Sequence, residues 1–99
     1  MTEPKSAAQK PARWTIAFVP EAAKELRKLG RSEGLRIIRT LEQRIAPLPD
    51  PRSLGAALTG NHAGYWRWRI GDYRIAARIE EARVTILVVR VAHRREVYR

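Results

Sequence analysis

The sequence predicts an α+β fold of order β-α-α-β-β-β, with a helical hairpin packed on a small, mainly antiparallel sheet. Three observations lead there. Apolar residues recur at helical spacing on both sides of Gly30. Residues 65–92 hold three stretches rich in β-branched and aromatic residues. Gly71-Asp72 separates the first two of these as a two-residue hairpin turn.

The chain of 99 residues is read as one domain, residues 14–99, behind a flexible polar tail, residues 1–13, that holds Pro4 and Pro11. Trp14 to Val19 alternates Trp14, Ile16 and Phe18, the pattern of a first strand. Pro20 suits the first position of a helix, where its missing N–H costs nothing. Ala22, Leu26 and Leu29 form that helix's apolar stripe, and Gly30 stops it. Ser32 is the expected cap of a second helix that runs to about Ala46. Its buried face is read as Leu35, Ile38, Leu41 and Ile45, with Arg36, Arg39 and Arg44 pointing outward. Pro47 to Gly64 has too many turn residues for a regular element; Leu54 and Leu58 are expected to tack it onto the core. Tyr65 to Ile70, Tyr73 to Glu80 and Arg83 to Ala92 are the remaining strands.

Charge narrows the function. Lys plus Arg number 20 against 10 Asp plus Glu, a net charge of +10 with pI ≈ 11.2. Sixteen of those cations are Arg, whose planar fork matches phosphate oxygens better than an ammonium does. A polyanionic partner is expected. With no Cys there is neither a disulfide framework nor a thiolate nucleophile. His62 and His93 are too few for an all-His metal site, and no metal or cofactor is expected. Neither a secretory leader nor a membrane span is legible, so a soluble cytoplasmic protein without a membrane partner is expected.

Placing the hairpin in register sharpens this. With Gly71-Asp72 as the turn, Ile70 faces Tyr73, Arg69 faces Arg74, Trp68 faces Ile75 and Arg67 faces Ala76. Trp66, Trp68, Ile70, Tyr73, Ile75, Ala77 and Ile79 then share one face, a core surface for the helices. Arg67, Arg69, Arg74 and Arg78 share the other. Like charges directly opposite each other destabilise a sheet, so Arg69 against Arg74 needs a reason. One reason is a charged face that guards against edge pairing. The other is an Arg cluster built for phosphates. In the last strand Val84, Ile86 and Val88 are read toward the core, with Leu87, Val89 and Val91 on the Arg face. His93, Arg94, Arg95 and Tyr98 follow, beside that face.

Such a cluster suits RNA cleavage by the RNA's own 2′-OH. That reaction needs a base at the 2′-OH, cations around the phosphate and an acid at the leaving 5′-oxygen. A Tyr with an ordinary pKa of about 10 is a poor base at neutral pH. Neighbouring Arg side chains favour its phenolate.

YWRWRIGDYRI (Tyr65 to Ile75) and VAHRREVYR (Val91 to Arg99), with the VPEAAKELRKL helix, resemble the RelE-type toxins of bacterial toxin–antitoxin pairs. The resemblance covers about residues 14–99. It implies a sheet face that binds mRNA in the ribosomal A site, endonucleolytic cleavage through the 2′-OH, and inhibition by a cognate antitoxin in a toxin–antitoxin hetero-oligomer. Arg67 and Arg69 fall where the family has basic residues before the turn. Arg74 matches its phosphate-stabilising Arg, Arg94 its general acid or leaving-group stabiliser, and Tyr98 its general base. Arg78 and Arg95 extend the substrate-binding set, and the role of His93, base or otherwise, stays open. ParE-type toxins, which poison DNA gyrase on the same scaffold, are the rival reading; a catalytically dead binding module is the third.

Overall fold

In the computed structural model, residues 13–93 are described. Two helices pack on one face of a five-stranded mixed sheet, as the predicted α+β class requires. The expected tail, apart from Arg13, and the segment after His93 lie outside the described residues.

Strand β1 (Thr15–Phe18) leads through Val19 into helix α1 (Pro20–Lys28), with Pro20 at the helix start and Glu21 in its first turn. Helix α2 (Arg31–Thr40) follows after Leu29 and Gly30. Its cap is Gly30, not Ser32. The backbone there has φ 93°, a left-handed value that only glycine takes without strain. The Gly30 carbonyl accepts the Gly34 N–H at 3.0 Å, the first bond of α2.

Helix α2 widens into a π-turn over Leu41–Ile45, closed by the Ala46 N–H on the Leu41 carbonyl at 2.7 Å. The wide turn lets Leu41, Ile45 and Ala46 all be buried. The Ala46 carbonyl then accepts the N–H groups of Arg13 and Trp14, fastening the entry to β1.

The buried stripe of α2 is Gly34, Ile37, Leu41 and Ile45. Leu35, expected inside, is 38% exposed, and Ile38 is only partly buried. The connector is also held differently from expectation. Leu54 is 55% exposed. The anchors are instead two indoles: Trp68 Nε1 donates to the Pro51 carbonyl at 3.0 Å, and Trp14 Nε1 to that of Pro49 at 3.4 Å. The same connector supplies an unforeseen short strand, β2 (Ala56–Ala57), which pairs with β3 (Trp66–Ile70).

Strands β3 and β4 (Tyr73–Glu80) form the hairpin in the predicted register, from Ile70↔Tyr73 to Trp66↔Ala77. Gly71 has φ 60° while Asp72 is not in the positive-φ region, the sign pattern of a type II′ turn. Strand β5 (Thr85–His93) lies between β4, antiparallel, and β1, parallel, giving the order β1-β5-β4-β3-β2. Trp68, Ile75, Ala77, Ile86, Val88 and Val91 from the sheet meet Ala22, Leu26, Ile37, Leu41 and Ile45 from the helical side in a single core.

Strand β5 departs from the predicted reading at both ends. Val84 is outside the strand, 40% exposed, and left-handed at φ 48°. Further on, Ala76 pairs with Arg90 but Ala77 with Val88, so Val89 is an extra residue, a β-bulge. The bulge reverses the alternation after it. Val91, expected on the Arg face, is 3% exposed in the core.

Candidate nucleic-acid interface

The face of the sheet turned away from the helices can be read row by row from the strand pairings. Arg69, Arg74 and Ala92 form one row; Arg67, Ala76 and Arg90 the next; Arg78, Leu87 and Ala17 another; Glu80, Thr85 and Thr15 the last. All four Arg residues expected on this face from the hairpin register are brought together there. Arg69 and Arg78 are exposed; Arg67 and Arg74 are half-buried.

Arg90 also has its register position on this face, which sequence reasoning missed, although its guanidinium turns to Glu25 of α1. Without a visible bulge, simple alternation puts it on the core side; with Val89 inserted it shares a face with Ala76. Two strand spacings separate it from Arg67, roughly 10 Å of backbone. Its side chain also meets Glu25 of α1, with Nε donating to Oε2 at 3.2 Å. Glu25 Oε1 accepts the Val91 N–H at 2.7 Å. Strand β1 pairs only as far as Val88 of β5, so this carboxylate closes a backbone donor that β1 leaves open. The sequence signal for Glu25 was faint: it is one of two acids, with Glu21, in a helix that also carries Lys24, Arg27 and Lys28.

The electrostatics differ along the face. Arg78 Nη2 is 2.8 Å from Glu80 Oε2, and that hydrogen bond, then the charge of Glu80, raises the guanidinium pKa above its ordinary value. The Tyr65 hydroxyl acts in the same direction, so Tyr65 too belongs to this face. Among the described residues no carboxylate comes within ion-pair range of Arg67 or Arg69. These two guanidinium groups suit an incoming phosphate.

His93 is placed elsewhere. It pairs with Tyr73, and the rings meet edge to face at 5.6 Å and 88°. Tyr73 belongs to the helix-side face, so the imidazole does too, in a recess with Glu25, Lys28, Leu29 and Val91. The expectation that His93 sits beside the Arg face is corrected; the bulge at Val89 is the physical cause. Arg94, Arg95 and Tyr98 lie outside the described residues. Among the described residues no three His, Cys, Asp or Glu side chains gather as a metal site, and no helix is long and apolar enough to cross a membrane.

The family model described as "ParE toxin of type II toxin-antitoxin system, parDE" matches residues 16–98. The chain belongs to this family of toxins. It is 32% identical over 88 residues to Toxin RelG of Mycobacterium tuberculosis, covering 87% of this chain and 97% of that protein. Among solved structures it is similar to the RelBE2 toxin–antitoxin complex of Mycobacterium tuberculosis, with 26% identity, a TM-score of 0.75, and coverage of 83% of this chain and 92% of that one. The intact RelBE complex of Escherichia coli shares the fold, at 18% identity, a TM-score of 0.59, and coverage of 81% and 95%. The toxin is thus a member of the RelE/ParE superfamily, as the resemblance implied.

Proposed function

We propose that this toxin cuts mRNA in the ribosomal A site by promoting attack of the RNA 2′-OH on the adjacent phosphorus. The observation that carries the reading is the Arg69↔Arg74 cross-strand pair, with Arg67 and Arg78 on the same face and the apolar core on the other. A fold maintained for its own stability has little use for like charges in direct opposition.

In the reaction, the 2′-oxygen forms a bond to phosphorus as the 5′-oxygen leaves, giving a 2′,3′-cyclic phosphate and a 5′-hydroxyl. Arg74, aided by Arg69, neutralises the charge that builds on the phosphoryl oxygens. Arg67 and Arg95 hold the strand through neighbouring phosphates, and Arg78 contacts the RNA next to them. Tyr98 takes the 2′-OH proton, and Arg94 protonates or stabilises the leaving oxygen. The helix-side placement of His93 favours Tyr98 over His93 as the base. A cognate antitoxin holds the toxin in check by covering cationic surface with an acidic or amphipathic segment. The structural relatives solved as toxin–antitoxin complexes support that partner.

A second reading, gyrase poisoning without nuclease chemistry, is favoured by the matching family model being that of ParE toxins. Primer extension on mRNA from translating ribosomes separates the two. Cuts inside A-site codons are expected; intact mRNA with gyrase-dependent DNA breaks overturns the proposal.

A further inference from the structure

The Arg face does not end at its arginines. Beyond Arg78 it opens into a recess of ≈ 720 Å³ whose lining includes Thr15, Ala17, Glu80, Thr85 and Leu87. The pairings place Ala17 beside Leu87 and Arg78 as a largely apolar row, and Thr15 beside Thr85 and Glu80 as a polar one. We propose that this recess takes one unstacked nucleobase of the bound RNA, and that Glu80 reads the base's amino group. The inference rests on the RNA-cleaving reading above and names the specificity of the same face.

The chemistry of Glu80 carries it. A carboxylate on a phosphate-binding surface weakens the field that attracts the RNA backbone. Beyond its ion pairs with Arg78 and Arg83, it is an acceptor for a donor that only some bases possess. Adenine, cytosine and guanine carry exocyclic amines; uracil carries none. The Glu80 carboxylate is oriented by its neighbours. Oε2 is engaged by Arg78 at 2.8 Å, while Oε1 meets Arg83 only at 4.0 Å. An ionised carboxylate has about four acceptor sites, so capacity remains after both contacts. Its side chain is 23% exposed, sheltered enough for a hydrogen bond to discriminate.

The neighbours fit a base rather than a phosphate. Leu87 and Ala17 give a half-buried apolar floor. Arg78, hydrogen-bonded to Glu80, offers a guanidinium plane on which a base can stack. Arg74 and Arg78 are four residues apart on β4, roughly 13 Å. The base read here therefore flanks the cut and is not the nucleotide being attacked.

The test uses ribosomes programmed with mRNA randomised around the cleavage site, with cut ends sequenced. For the wild type, one flanking position is expected to disfavour uracil by roughly tenfold. Glu80→Gln presents an amide donor as well as an acceptor and is expected to admit uracil and flatten that position. Ala17→Leu fills the recess from its floor without adding charge beside Glu80, and is expected to flatten the same position. Thermal melts of both variants confirm folding. Cleavage without uracil discrimination, or discrimination kept in both folded variants, overturns the base recess and leaves the nuclease standing. No cleavage by the wild type overturns both.

Discussion

Replacing Arg69 with Gln separates a cluster built for phosphates from one built for the fold. Arg69 faces Arg74 directly, and Arg67 stands on the same face one step along β3. Cross-strand Cβ atoms in such a pair are about 5 Å apart. Two guanidinium charges at roughly 6 Å in water repel by about 0.7 kcal/mol. Gln keeps most of the stem and removes the charge. Arg69→Gln is therefore expected to stabilise the fold by roughly 0.5–1 kcal/mol at low salt. The gain should vanish near 1 M salt, where the Debye length is about 3 Å. RNA affinity should fall instead, and the slope of log affinity against log salt should become shallower by about 0.7, the loss of one phosphate contact on a single strand. Urea melts at low and high salt give the first quantity, and anisotropy titrations of a labelled RNA the second. A variant that is less stable at low salt, yet binds RNA with unchanged affinity and slope, would show that Arg69 serves the fold and not a phosphate.

Gly71→Ala should destabilise by about 1 kcal/mol in a urea melt, because the turn holds Gly71 at φ 60°. An added methyl would also stand 2.7 Å from Arg36 Nη2, so the guanidinium must swing aside. Val84→Gly should raise stability by roughly 0.5–1 kcal/mol, since a β-branched residue at φ 48° is strained. Trp68→Phe should cost roughly 1–3 kcal/mol, losing the bond to the Pro51 carbonyl and ring volume at a site 2% exposed. An unchanged denaturation midpoint would dismiss that indole as the anchor of the connector.

The hairpin face was legible because Gly71-Asp72 admits one turn and each flanking residue then has one partner. Trp68 and Ile75 on one side and Arg69 and Arg74 on the other make the alternation unambiguous. Strand β5 carries Ile86, Leu87, Val88, Val89 and Val91, apolar on both faces, so its pattern hides the phase change at Val89. Arg90 and His93 were misplaced for that one reason. In α2, Leu35 and Ile38 compete with Ile37 across a wide apolar arc, while Leu41 and Ile45 are buried as their spacing predicts. Contact with α1 and the sheet, not spacing, chose Ile37. Strand β2 is Ala56–Ala57, which has no strand signature of its own and pairs because β3 offers an edge.

Whether the Arg cluster cuts RNA or only holds it is decided by single-turnover cleavage of mRNA on programmed ribosomes, comparing the wild type with Arg74→Ala. The variant is expected to cleave more slowly by about 100-fold or more, with its melting temperature not lowered. Cleavage by Arg74→Ala at the wild-type rate would contradict the nuclease mechanism, because the Arg cluster would then bind RNA without taking part in cutting it.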